Sequence, residues 1–122
     1  MDKIQTSLDF SYLEELLTLT KGQSQMVRDC VQRFIHNAEH EIGELKSFQQ
    51  THDRATLKAQ AHHLISTCCV VGASRMIALC RSLSKQALTS EIASLYQDLN
   101  ALDKDFHTVK ELLTDYVKNL PK

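Results

Sequence analysis

Tryptophan is absent from this 122-residue chain, proline occurs once (Pro121) and glycine three times. So few breakers leave little room for the tight turns of an all-β fold, and helix is the economical reading. No apolar run approaches the roughly 20 residues needed to span a bilayer. The start, Met1-Asp2-Lys3-Ile4-Gln5-Thr6-Ser7, lacks the apolar centre of a signal peptide. A cytoplasmic protein with no membrane partner is expected. Lys and Arg are scattered and the net charge is −1, so the concentrated basic stripe that nucleic-acid binding requires is missing too. The chain also has no Gly-x-x-x-x-Gly-Lys phosphate loop, no Cys-x-x-Cys and no His-Glu-x-x-His, which removes the commonest nucleotide and metal signatures.

What the chain has is apolar periodicity. Hydrophobic residues make up 43% of it, enough for one domain over residues 1–122 to bury its own core. Asp9 precedes Phe10, Leu13, Leu16 and Leu17, which predicts a short first helix ending near Lys21-Gly22. From Ser24 to Gln50, Val27, Cys30, Val31, Phe34, Ile35, Ala38, Ile42, Leu45 and Phe48 recur at steps of three and four and predict one long amphipathic helix. Asp53 is a cap for a third stripe, Leu57, Ala61, Leu64, Cys68 and Val71, with Gly72 at the turn. Met76, Leu79, Cys80, Leu83 and Ala87 form a fourth. Ser90 is a cap for the last, which runs from Ile92 through Leu99, Phe106 and Leu113 to Tyr116 before Pro121.

Four long stripes on short connectors must bury one another, and short connectors make neighbours antiparallel. The expected fold is therefore all-α, an antiparallel up-down-up-down four-helix bundle with the short first helix as a lid. The other stripes also need partners, so burial within one chain outweighs a coiled-coil dimer, and a monomer is expected. Four cysteines (Cys30, Cys68, Cys69, Cys80) are read as reduced, buried thiols, since such a core needs no disulfide staples.

The third stripe carries adjacent histidines. At 100° per residue His62 falls about 140° from the centre of the apolar face and His63 about 120° away on the other side. Both should face water, and periodicity does not choose between them. A neutral imidazole has a lone pair able to attack phosphorus near pH 7, but every exposed histidine has that property.

The whole stretch Ala61-His62-His63-Leu64-Ile65-Ser66-Thr67-Cys68-Cys69-Val70-Val71-Gly72-Ala73 resembles the signature of histidine-containing phosphotransfer (HPt) domains: Ala-His-x-Leu-Lys-Gly-Ser-Ser, three variable residues, then Gly-Ala. Ala61, His62, Leu64, Gly72 and Ala73 match; Ile65 stands where the family has Lys and Ser66 where it has Gly. Leu8-Asp9-Phe10-Ser11-Tyr12-Leu13, the pair Phe34-Ile35 and the run from Met76 to Leu83 are also similar to the family, so the resemblance covers most of residues 8–117.

The resemblance implies that His62 is a phosphoryl acceptor that takes the group from a receiver-domain phosphoaspartate or a partner kinase and passes it to a response regulator. It implies a carrier with no kinase activity and no cofactor of its own, Mg²⁺ being bound by the partner receiver. The lysine replaced by Ile65 would lie beside the phosphoryl group, and Lys58 or Lys85 are candidates to replace it. Ser66 narrows the approach surface by one side chain; its hydroxyl either donates to a phosphoryl oxygen or bonds back to the His62 carbonyl. Cys69 completes the face, one turn beyond Ser66. Two rival readings stand beside this one. A degenerate domain would keep the fold and bind receivers without accepting phosphate. A metal or redox site would draw on His52, His62, His63, Cys68, Cys69 and Cys80, but adjacent Cys68 and Cys69 point about 100° apart.

Overall fold

The structure, a computed structural model, describes residues 7–121. Within that span the chain is helical and contains no strand: α1 (Ser11–Leu19), α2 (Ser24–Lys46), the single turn α3 (Phe48–Thr51), α4 (Arg54–Cys69), α5 (Ser74–Gln86) and α6 (Ile92–Lys118). α4 packs against α2 and α5, and α6 against α5 and α2, so the four long helices close a ring as expected. Leu45, Leu57, Leu64, Met76, Leu83, Leu95, Leu102 and Leu113 are fully buried at its centre. Each such side chain contributes about 1.5–3 kcal/mol of transfer free energy. Phe34 and Phe106 meet across the core with ring centroids 6.1 Å apart.

The helix ends follow local chemistry in most places. At α4 the Asp53 carboxylate accepts from the Thr56 backbone N–H (3.1 Å) and the Thr56 hydroxyl (2.7 Å). Those two bonds hold its carboxyl below the usual range. Gly22 ends α1 at φ 80°, its N–H donating to the Leu17 carbonyl at 2.8 Å.

Two sequence expectations are corrected. The long helix predicted to Gln50 stops at Lys46, where the Ser47 hydroxyl donates to the Glu44 carbonyl at 2.6 Å and draws the chain out of register. The extra turn α3 then buries Phe48, and His52 ends it at φ 52° with Nε2 2.7 Å from the Tyr96 hydroxyl. Ser90 does not cap α6 either. Its hydroxyl donates back to Gln86 Oε1 (3.1 Å), and Glu91 occupies the cap position without a side-chain bond.

α1 lies over one end of the bundle, as the lid reading requires. The Asp9 N–H donates to the Gly72 carbonyl at 2.8 Å, and the Phe10 and Tyr116 rings stack with centroids 4.9 Å apart. Gly72 sits at φ 76°, and a Cβ there would lie 2.4 Å from the Asp9 carbonyl oxygen and 2.7 Å from the Tyr12 ring. Glycine at the α4–α5 turn thus serves both the left-handed backbone and the seating of α1.

Candidate functional site

His62 and His63 are both exposed on α4, as their helical phase dictates, but their surroundings differ. His63 Nε2 stands 3.8 Å from Glu41 Oε2 of α2, and Thr67, one turn on, donates its hydroxyl to both Glu41 carboxylate oxygens at 3.0 Å. This is the α2 side of α4. The opposite side faces α5, because Arg54 reaches across to the Ala87 carbonyl (3.0 Å) and the Ser90 carbonyl (2.6 Å). His62 falls on that second side. Among the described residues its imidazole has no hydrogen-bond or ion-pair partner, so both ring nitrogens are open to an approaching molecule.

The other residues named from the sequence are distributed around it. Lys58 is exposed one turn before His62, Ser66 one turn after and Cys69 at the next turn, all on α4. Ser66 makes no bond back to the His62 carbonyl among the described residues, so its hydroxyl remains available. Ile65 is half-buried and packed against the core, so it floors the α4–α5 seam and is not a free contact on the surface. Lys85 is exposed near the end of α5. Cys68 of α4 and Cys80 of α5 are both buried in the core. The Cys80 thiol and burial push the Cys68 thiol far above the ordinary thiol range, making it an inert core group.

The expectation of four buried thiols is corrected in part. All four cysteines are free and Cys68 and Cys80 are buried, but Cys69 is exposed and Cys30 half-buried. Cys69 ends α4 on its outer face, where no helix covers it. Among the described residues no three His, Cys, Asp or Glu side chains converge as a metal site requires.

One feature of the site went unread in the sequence. From Arg54 to Ser90 there is no aspartate or glutamate, although the chain has fifteen; five of its fourteen cations, Arg54, Lys58, Arg75, Arg81 and Lys85, lie in that stretch. Counting cations alone shows them scattered. Counting acids along the chain shows the α4–α5 hairpin as a one-sign segment, and brings Arg81 into view.

An apolar cleft lies between α2 and α6 around Val31, Ile35 and Val117, and another between α2 and α4 is lined by Glu41 and His63. His62 lines neither cleft and is exposed on the outer surface of α4. Such a surface suits a macromolecular partner better than a small molecule, which needs concave walls.

The chain is thus a helical bundle that presents on α4 an exposed histidine, His62, without a partner among the described residues. The Hpt domain family model matches residues 29–115, and the chain belongs to that family, whose members serve two-component phosphorelays. Its fold is similar to the crystal structure of histidine-containing phosphotransfer protein B from Pseudomonas aeruginosa PAO1: TM-score 0.83 over 94% of this chain and 97% of that one, at 18% sequence identity. No curated protein matches the chain. No helix among the described residues is long and apolar enough to cross a membrane.

Proposed function

We propose that His62 is the phosphoryl acceptor of a phosphorelay carrier, and that it exchanges the group with a receiver-domain phosphoaspartate or a partner kinase. The observation that carries this is the contrast between the two histidines within an Hpt-family bundle: His63 is drawn to Glu41, whereas His62 stands free on an acid-free face. One nitrogen of the neutral imidazole attacks phosphorus in line, the N–P bond forms as the P–O bond to aspartate breaks, and the carboxylate leaves with its electron pair. The other nitrogen keeps its proton, and the positive charge on the ring makes the reverse step accessible. Mg²⁺, held by the receiver, supplies charge stabilisation to the transferring oxygens. The chain's own contribution is a nucleophile on a rigid helix, with Ser66 offering a hydroxyl one turn away. In this reading the domain is a cytoplasmic monomer without kinase activity of its own.

Incubation with a phosphorylated receiver tests the proposal. Acid-labile phosphate is expected on the wild type and on His63→Gln, and none on His62→Gln. Receiver binding without labelling of the wild type would identify a docking module that has lost the chemistry. Ile65, which brings no charge to the position where the family has Lys, is what keeps that second outcome specific.

A further inference from the structure

We infer that the cleft between α2 and α6 binds a small amphipathic carboxylate, with its apolar chain along Val31, Ile35 and Val117 and its charged head at Arg28 and Lys118. The site lies on the opposite pair of helices from α4 and α5, so it is independent of His62. Its shape comes from two stripes. On α2, Arg28, Val31 and Ile35 recur at steps of three and four, and on α6 Thr114, Val117 and Lys118 do the same, so each helix turns one stripe toward a cleft of about 320 Å³. That is the lower end of the range for small-ligand sites, roughly 300–1,000 Å³. Val31 is buried, and Ile35 and Val117 are partly buried against the core, which gives the cleft a fixed apolar floor.

The charge around that floor is of one sign. Arg28 and Lys118 line the cleft, and every other lining residue is uncharged. Arg28 Nη1 donates to the Val117 carbonyl (3.2 Å) and Nη2 to the Leu120 carbonyl (3.4 Å), which aims the guanidinium without neutralising it. Its remaining N–H groups suit a carboxylate. Further along the same helix pair the cations are spent differently: Lys46 and Lys110 are held at 2.8 Å by Asp103 and Glu39. The Lys110–Glu39 pair lies one turn beyond Thr114 and Ile35 and closes that end of the cleft. At the other end Arg28 also lines a wider cleft of about 640 Å³ with Ser24 and Pro121, which leaves room for a hydrated head. At about 1.5 Å of rise per residue the floor from Arg28 to Ile35 is about 10 Å long, the reach of a medium-chain acid. Glu111 and Asp115 line the next groove around α6, on the far side of Lys118.

Octanoate titrated into the full chain is the test, read by calorimetry and by the methyl resonances of Val31, Ile35 and Val117. Saturable one-to-one binding is expected, with the largest shifts at those methyls. Octanol, which keeps the chain and lacks the charge, should bind about tenfold more weakly. Octylammonium and acetate should not bind. Lys118→Glu should weaken octanoate binding several-fold, and Thr114→Trp, at an exposed position on the rim, should abolish it by filling the cleft, both with the wild-type circular dichroism spectrum. The ligand series tests the same point on the unaltered protein. No saturable binding, largest shifts away from the three methyls, octanol or octylammonium equal to octanoate, or undiminished binding by Thr114→Trp would overturn the inference. So would a dimer in sedimentation that shuts octanoate out, or capture by phosphatidylglycerol vesicles in place of the free acid.

Discussion

The α2–α6 pair and the α4–α5 pair form the two halves of one bundle and use charge in opposite ways. Between α2 and α6, Lys46 meets Asp103 and Lys110 meets Glu39, both at 2.8 Å, and the Lys110 ammonium holds the Glu39 carboxyl below its usual range. Between α4 and α5 the cross-helix contacts among the described residues are apolar or run to backbone: Ile65 in the seam, Cys68 against Cys80, and Arg54 onto two carbonyls. One half spends its charges on itself. The other is held by packing and by the Arg54 bonds to backbone, which leaves Lys58, Arg81, Lys85 and His62 exposed.

That difference is sharpest where packing is tightest. Gly72→Ala places a Cβ 2.4 Å from the Asp9 carbonyl in a left-handed conformation, and a loss of about 3 kcal/mol is expected. At Gly22, also at positive φ but with nothing within 4 Å of a Cβ, alanine should cost only about 1 kcal/mol. Equal losses in urea melts of the two variants would show that α1 is not seated on the Gly72 turn.

Ile65→Lys asks whether the seam is packing or docking surface. Half-burial of this side chain against the core predicts a stability loss of about 1 kcal/mol; no loss would return Ile65 to the free surface.

Asp105 of α6 probes the same pair of halves by pH. Burial pushes its carboxyl up, the Ser7 hydroxyl donating to Oδ1 at 2.9 Å and the Arg75 charge opposing that rise, while Oδ2 has no hydrogen-bond partner. The folded state therefore holds this proton more tightly than the unfolded chain does. The resulting stability is complete below the unfolded carboxyl's range and is lost as pH rises through the raised value. Asp105→Asn should remove that loss, gaining about 1 kcal/mol at neutral pH and flattening the pH dependence of Tm. The smallest effect belongs to the ion-paired half. Lys110→Ala breaks a surface pair and should cost about 0.5 kcal/mol or less, vanishing in high salt.

The helices themselves were largely legible in the chain. Asp53 announced the start of α4, Gly72 its turn, and the stripe from Leu95 to Leu113 the length of α6, because caps and 3.6-residue periodicity act over a few neighbours. The break at Ser47 and the turn of the Ser90 hydroxyl back to Gln86 were not legible. In both places a serine had two local hydrogen-bonding choices, and packing of Phe48 and the approach of Arg54 to the Ser90 carbonyl selected one. At the site, helical phase placed His62 and His63 on the surface and stopped there.

What the sequence by itself determined is the bundle, the exposure of both histidines and the absence of acid from Arg54 to Ser90, since each depends on residue order along one helix or one hairpin. Which neighbour covers each flank of α4 was decided only by the tertiary structure. Glu41 takes His63 and Thr67, the core takes Ile65, and His62 is left exposed without a partner among the described residues. Periodicity gives an angle about one axis; the distance between side chains on two axes is fixed by packing.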